Sequence, residues 1–251
     1  MNKFIFCFLL FSFLYQSPAF GEELSAREIL DRIDDLWRGE SSISIMSMHV
    51  KKENYERSMT MKSYSKGKDY SLIIIKKPLK EAGIATLKYE DNIYNYLPKT
   101  NKVIKIPSSM MMGSWMGSHF TNDDLVKESR LADEYDFEIT RNFQQDQTDY
   151  IEITLVPKES SPSVWGKITV IVRKNDLMPV TEDYYDENMK KVRTMNFEDF
   201  QDVDGRLIPM TMKMHPVEKP DEHTIIRMEK IKFNVALPDE LFSLRYLKSN
   251  L

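Results

Sequence analysis

Residues 25–50 read SAREILDRIDDLWRGESSISIMSMHV, and inside this stretch the chain changes its period. Ser25 and Glu28 have the spacing of a capping box, in which the hydroxyl accepts from a free backbone N–H and the carboxylate reaches back. Ile29, Leu30, Ile33, Leu36 and Trp37 then recur at the spacing of one helical stripe. Gly39 supplies a left-handed stop. Beyond it the period is two. Met46 and Met48 lie two residues apart, so both point to one face of a strand.

The same alternation continues outward. RSMTMKSY (57–64), DYSLIII (69–75), GIATLKY (83–89), NIYNYL (92–97) and KVIKI (102–106) read as strands separated by short turns. After an irregular stretch, TNDDLVKES (121–129) reads as one or two helical turns capped by Thr121 or Asn122. Strands resume at 135–143, 149–157, 165–173, 178–186, 193–200, 206–214 and 224–234, and PDELFSL (238–244) closes with a helical turn. Asp204-Gly205 marks a hairpin. About a dozen short strands behind one long helix predict a mainly β, α+β protein: a strongly curved antiparallel sheet wrapped around a helix. A sheet of that many strands rarely stays flat, so it encloses an inside.

The N-terminus reads as a leader. Lys3 precedes an apolar run from Phe4 to Tyr15, Pro18 breaks it, and Ala19-Phe20-Gly21 places cleavage after Gly21. A dozen apolar residues are too few to span a bilayer. The expected organisation is a signal peptide, 1–21, and a single domain, 22–251, exported to the periplasm. Cys7 is the only cysteine and falls in the leader, which excludes disulfides, thiolate zinc sites and cysteine nucleophiles from the mature chain. Without Lys3, 34 basic residues face 39 acidic ones, a net of −5. Charges of both signs are interspersed, with no basic run of the kind that binds nucleic acid.

Catalytic patterns are missing. There is no nucleophile elbow, phosphate loop, zinc-protease helix or dinucleotide fingerprint, and His49, His119, His215 and His223 are scattered. No enzyme, cofactor or metal is expected. Methionine is the unusual feature: four of sixteen fall between Met110 and Met116, beside Trp115, on a segment without regular period. Three readings compete. These side chains fill core gaps, or they form a soft-metal site for Cu(I) with His119, or they line and cover an apolar cavity at the mouth of the curled sheet. The last gives the candidate site: Met46, Met48, Met59, Met61, Tyr94 and Tyr96 on strands, with Met110, Met111, Met112, Trp115 and Met116 as a gate hinged at Gly113 and Gly117.

The helix SAREILDRIDDLWRG, the pair YLPKTNKVIKI, the segment MGSWMGSHFTNDDLVKES, VWGKITVIVRKNDLMPV with YYDENMK, and FEDFQDVDGRLIP together resemble the LolA-like family of outer-membrane lipoprotein-sorting proteins. The resemblance covers nearly the whole mature chain. It implies an incompletely closed antiparallel half-barrel covered by the N-terminal helix and a central helical lid. It also implies a monomeric periplasmic carrier that holds acyl chains of lipoproteins or free lipids, loaded by an inner-membrane transporter. A strand arginine that ties the lid shut belongs to this pattern, and Arg57 is the candidate. An envelope sensing or structural module, binding a protein partner with the same half-barrel, is the alternative function.

Overall fold

The computed structural model describes residues 24–127, 131–159, 161 and 163–250. The leader, with Cys7 and the expected cleavage point, lies outside the described residues. The first helix, α1 (Ala26–Asp35), begins with the expected box: Ser25 Oγ accepts from the Glu28 N–H at 3.3 Å, and the Glu28 carboxylate accepts from the Ser25 N–H at 2.8 Å. Gly39 adopts φ +55°, and its N–H reaches the Asp35 carbonyl at 3.4 Å. Ile29, Leu30, Ile33 and Leu36 are all buried, so the apolar stripe faces the core as its spacing requires.

Thirteen strands follow: β1 (Ser41–Lys52), β2 (Tyr55–Lys66), β3 (Tyr70–Lys77), β4 (Ala85–Tyr89), β5 (Asn92–Leu97), β6 (Lys102–Lys105), β7 (Tyr135–Gln145), β8 (Thr148–Pro157), β9 (Lys167–Arg173), β10 (Met178–Tyr185), β11 (Lys191–Val203), β12 (Arg206–Pro216) and β13 (His223–Phe233). They form one antiparallel sheet in the order β6-β5-β4-β3-β2-β1-β13-β12-β11-β10-β9-β8-β7. Every neighbouring pair is consecutive in sequence except β1 with β13, which join the two halves along the middle. The two edges, β6 and β7, are themselves consecutive. The chain between them must therefore pass from one edge of the sheet to the other. That crossing holds two 3-10 turns, α2 (Asn122–Lys127) and α3 (Leu131–Glu134). The sheet is curved and unclosed, a mainly β fold with few helices.

One core fills the inner face. The α1 stripe packs there with Met48, Met59, Met61, Ile153, Val170, Phe197 and Met214, among others. Helix and crossing meet over it: the Arg27 guanidinium donates to the Ala132 carbonyl at 3.2 Å and to Asp133 at 2.6 Å. A second cluster lies on the opposite face of β3, β4 and β5, where Leu72, Ile74, Leu87 and Tyr96 are covered by Leu241, Phe242 and Leu247. These last residues come from a 3-10 turn, Asp239–Phe242, and a terminal helix, α4 (Leu244–Asn250). The sequence reading expected the turn and missed α4, as it missed α3. Burial on both faces explains why LIII in β3 is an unbroken apolar run and not an alternation.

Candidate functional site

The inner face does not pack solid. A cavity of about 190 Å³ remains between α1, the crossing segment and the sheet. The register of β1 against β2 sorts its floor into two ends. Ser42 lies opposite Ser65 and Ser44 opposite Ser63; one step on, Met46 lies opposite Met61 and Met48 opposite Met59. The polar end continues onto β3 and β4, where Ser65 is opposite Ser71 and Ser71 opposite Lys88. The apolar end continues the other way, onto Met228 and Ile226 of β13, Met212 of β12, and Met195 and Phe197 of β11.

Four methionines line the cavity: Met46, Met195, Met212 and Met228. They retain 7–8% of their exposure, whereas Met48, Met61 and Met214 retain none. The first group therefore bounds open space and the second fills the core behind it. All three tryptophans of the chain, Trp37, Trp115 and Trp165, line the cavity as well.

Charge is present but largely paired. Arg193 on β11 is buried, and its guanidinium grips both oxygens of Asp124 at 2.5 and 2.8 Å and donates to the His119 carbonyl at 3.0 Å. It also lies 4.1 Å from the Trp165 ring and 4.2 Å from the Tyr184 ring. This one side chain fastens the start of α2 to the inner face. Beside it, the Tyr184 hydroxyl donates to Glu182 at 2.5 Å. Burial pushes the Tyr184 phenol well above its ordinary pKa, and the Glu182 charge adds to the shift. Asp34 of α1 is the exception to the pairing. It is 4% exposed and lines the cavity, and no side chain among the described residues bonds either carboxylate oxygen. Burial raises its pKa to about 8 against the opposing pull of Arg38, Lys68 and the Ala132 backbone amide.

The eleven candidate residues from the sequence are divided by the structure. Met46 and Trp115 line the cavity. Met48, Met59 and Met61 lie in the same core but behind its surface. Tyr94 and Tyr96 face the other way: Tyr94 is opposite Leu87 and Tyr96 opposite Ala85, on the face covered by the C-terminal segment. Alternation shows that two residues share a face, but not which face is inside. Met110 and Met112 are more than half exposed, Met111 packs near Ile93 and Ile106, and Met116 packs against the main core. The run thus distributes its sulfurs among three environments.

The crossing segment is irregular because it is built of tight turns. The Trp115 N–H bonds the Phe120 carbonyl at 2.8 Å, the Asn122 N–H bonds Gly113 O at 3.0 Å, and the Asp123 N–H bonds Met111 O at 3.0 Å. The Trp115 indole N–H donates to Thr86 Oγ1 at 3.1 Å, and the Arg57 guanidinium donates to the Met116 carbonyl at 2.8 Å while pairing with Glu81. Arg57 on β2, the candidate that the sequence suggested, thus bonds the crossing segment at Met116. The two glycines meet steric demands. A side chain at Gly113 would stand 2.9 Å from the Met110 carbonyl. Gly117, at φ +74°, has the Tyr55 hydroxyl 2.9 Å from where its Cβ would be.

Sequence reasoning missed Asp34, the serines, Met195, Met212, Met228, Trp165 and Arg193. The methionines were visible in principle, since RLIPMTMKM (206–214) alternates like β1 and β2. Asp34 and Arg193 carried no pattern, because each depends on what the fold places beside it.

The half-closed sheet, covered by α1 and the crossing segment, has counterparts among solved structures. A DUF1329 family protein from Desulfovibrio piger matches with a TM-score of 0.80 at 25% identity, over 88% of this chain and 97% of that one. A Vibrio parahaemolyticus domain named for outer-membrane lipoprotein sorting matches at 0.77 and 22% identity, over 88% and 97%. A LolA superfamily protein from Nitrosomonas europaea matches at 0.76 and 20% identity, over 89% and 99%. The fold is LolA-like. No curated protein matches the chain in sequence. A family model described as an uncharacterized protein matches residues 67–249, and the chain belongs to that family.

Proposed function

We propose that this protein is a non-enzymatic periplasmic carrier, which holds the acyl chain of a lipid or lipoprotein in its cavity and moves it towards the outer membrane. The observation that supports this reading most is the methionine and tryptophan lining of the pocket. Met is flexible and polarizable, so a Met-lined wall adapts to chains of different length and shape. Burying one methylene is worth about 0.8 kcal/mol, so a long chain gains on the order of 10 kcal/mol before ordering costs. A carrier must also release its load, and a small cavity that takes part of a chain limits the net affinity. The net negative charge disfavours adsorption to anionic membrane surfaces, which suits a shuttle. The cargo passes from a transporter at the inner membrane.

Native mass spectrometry of protein purified from periplasm without detergent tests the reading. Lipid or lipoprotein bound at one-to-one stoichiometry is the expected result. Empty protein that instead captures a folded envelope protein would reject the carrier in favour of a sensing module.

A further inference from the structure

We infer that the turn between β3 and β4 is a membrane-docking tip, which enters the surface of an anionic lipid bilayer with Leu79 as its apolar anchor and Lys76, Lys77 and Lys80 around it. This goes beyond the carrier reading, because it concerns the outside of the molecule and stands whatever the cavity holds.

Antiparallel pairing decides which turns share an end of the sheet. Lys52 pairs with Tyr55, Thr60 with Lys77, Lys51 with His223 and Arg193 with Pro216, so the β1–β2, β3–β4, β12–β13 and β10–β11 turns lie at one end. Each of these four presents one exposed large apolar residue: Tyr55, Leu79, Val217 and Met189. Turns at the other end are polar: Gly67 to Asp69, Glu90-Asp91, Asp146-Gln147 and Asp204-Gly205. A single exposed apolar side chain is ordinary on a surface. Leu79 differs in degree and in its mounting. At 89% it is the most exposed of the large apolar residues described, with Met110 next at 56%. Its turn is firmly built. The Glu81 N–H bonds the Pro78 carbonyl at 3.0 Å, the Ile84 N–H bonds the Glu81 carbonyl at 3.1 Å, and the Gly83 N–H bonds the Ile75 carbonyl at 2.9 Å. The Glu81 carboxylate pairs with Arg57, which also donates to the Met116 carbonyl at 2.8 Å. The frame holds the leucine out in solvent.

Charge identifies the partner. Lys76, Lys77 and Lys80 are all exposed around Leu79. The one carboxylate of this turn, Glu81, is engaged by Arg57, with Lys80 3.9 Å away. The adjacent β1–β2 turn is balanced, Lys51 and Lys52 against Glu53 and Glu56. It adds Tyr55, whose hydroxyl donates to the Gly117 carbonyl and whose ring has the Lys52 ammonium 5.8 Å from its centre. An apolar tip with a collar of lysines suits a bilayer interface: the leucine enters the boundary between headgroups and acyl chains, and the ammonium groups meet lipid phosphates. Lysine stems are long enough to lie beside the leucine while their charges stay among the headgroups. The net negative charge of the whole chain opposes the same surface, so the contact is confined to this end and is reversible.

The test is co-sedimentation of the protein with phosphatidylglycerol-containing vesicles and with phosphatidylcholine vesicles. The protein should bind the anionic vesicles about tenfold more tightly, and the advantage should shrink as salt is raised. Leu79→Asp should weaken that binding by about tenfold. Because Leu79 is exposed, this variant should melt at the native temperature, which separates docking from folding. Lys76→Gln, Lys77→Gln and Lys80→Gln together should abolish the preference for anionic lipid. Leu79→Trp should show indole emission shifted to the blue on the anionic vesicles. Native protein that stays in the supernatant, or Leu79→Asp protein that binds as well as the native chain, overturns the inference, and so does binding without a shift from Leu79→Trp. N-phenyl-1-naphthylamine should bind the cavity equally in every variant, and its loss on Leu79→Asp would tie Leu79 to the cavity instead of the membrane. Failure to dock with probe binding intact leaves the carrier reading standing.

Discussion

At the residue scale, Trp115 sits where the crossing segment, the sheet and the cavity meet. It is 2% exposed, and its indole N–H is hydrogen-bonded to Thr86. A mobile gate would lose little stability when its largest side chain is cut back. A buried and bonded tryptophan should lose much more, so Trp115→Ala is expected to cost about 3–5 kcal/mol in a denaturant melt. Met112, 52% exposed on the same segment, should cost less than about 0.5 kcal/mol when changed to Ala. Equal losses at the two positions would contradict the division drawn between wall and surface. Asp34 has its own signature in pH. Its folded pKa, about 8, lies above the ordinary 3.8, so between those values the folded state keeps a proton that the unfolded chain has released. Its contribution is present below 3.8 and is lost as pH rises towards 8, at up to about 1.4 kcal/mol per pH unit. Subtracting the stability profile of Asp34→Asn from that of the native protein isolates the slope. A flat difference would show that Asp34 is solvated.

At the element scale, the two faces of β3 to β5 should respond differently. Phe242 covers the outer face, away from the cavity, and is 2% exposed. Phe242→Ala is expected to cost about 3–5 kcal/mol of stability while leaving amphiphile affinity per folded molecule unchanged. Weakened binding in the folded variant would mean that the faces are coupled. The same division shows what the sequence could reveal. Alternation located the strands to within a few residues, because period two survives wherever one face is buried and the other wet. It could not say which face was inside, so Tyr94 and Tyr96 were grouped with Met46. Short α3 and terminal α4 escaped notice because four to seven residues carry too little periodicity. The polar half of the cavity escaped for a different reason. Ser42 and Ser44 look like solvent-facing positions until Ser65 and Ser63 are placed opposite them. Pairing across strands is a fact of register, and no local window contains it.

At the scale of the whole molecule, the topology explains why there is a cavity at all. β6 and β7 are the two edges of one curved sheet and also neighbours in sequence, so the chain joining them has to cross the open side. The crossing is then fastened from within by Arg193 and from the rim by Arg57, and α1 lies beside it. The space left between these covers is walled by all three tryptophans. A ligand chain in that space must therefore touch the natural fluorophores. A monoacylglycerol carrying a 9,10-dibromostearoyl chain quenches tryptophan only on contact, while its unbrominated twin does not. Titrating delipidated protein with the pair tests most directly whether this cavity holds acyl chains. Saturable quenching by the brominated lipid, at one molecule per chain and displaced by the unbrominated one, is the expected result. Tryptophan emission that stays unchanged while the lipid binds would put the chain elsewhere, and absence of binding would contradict the carrier itself.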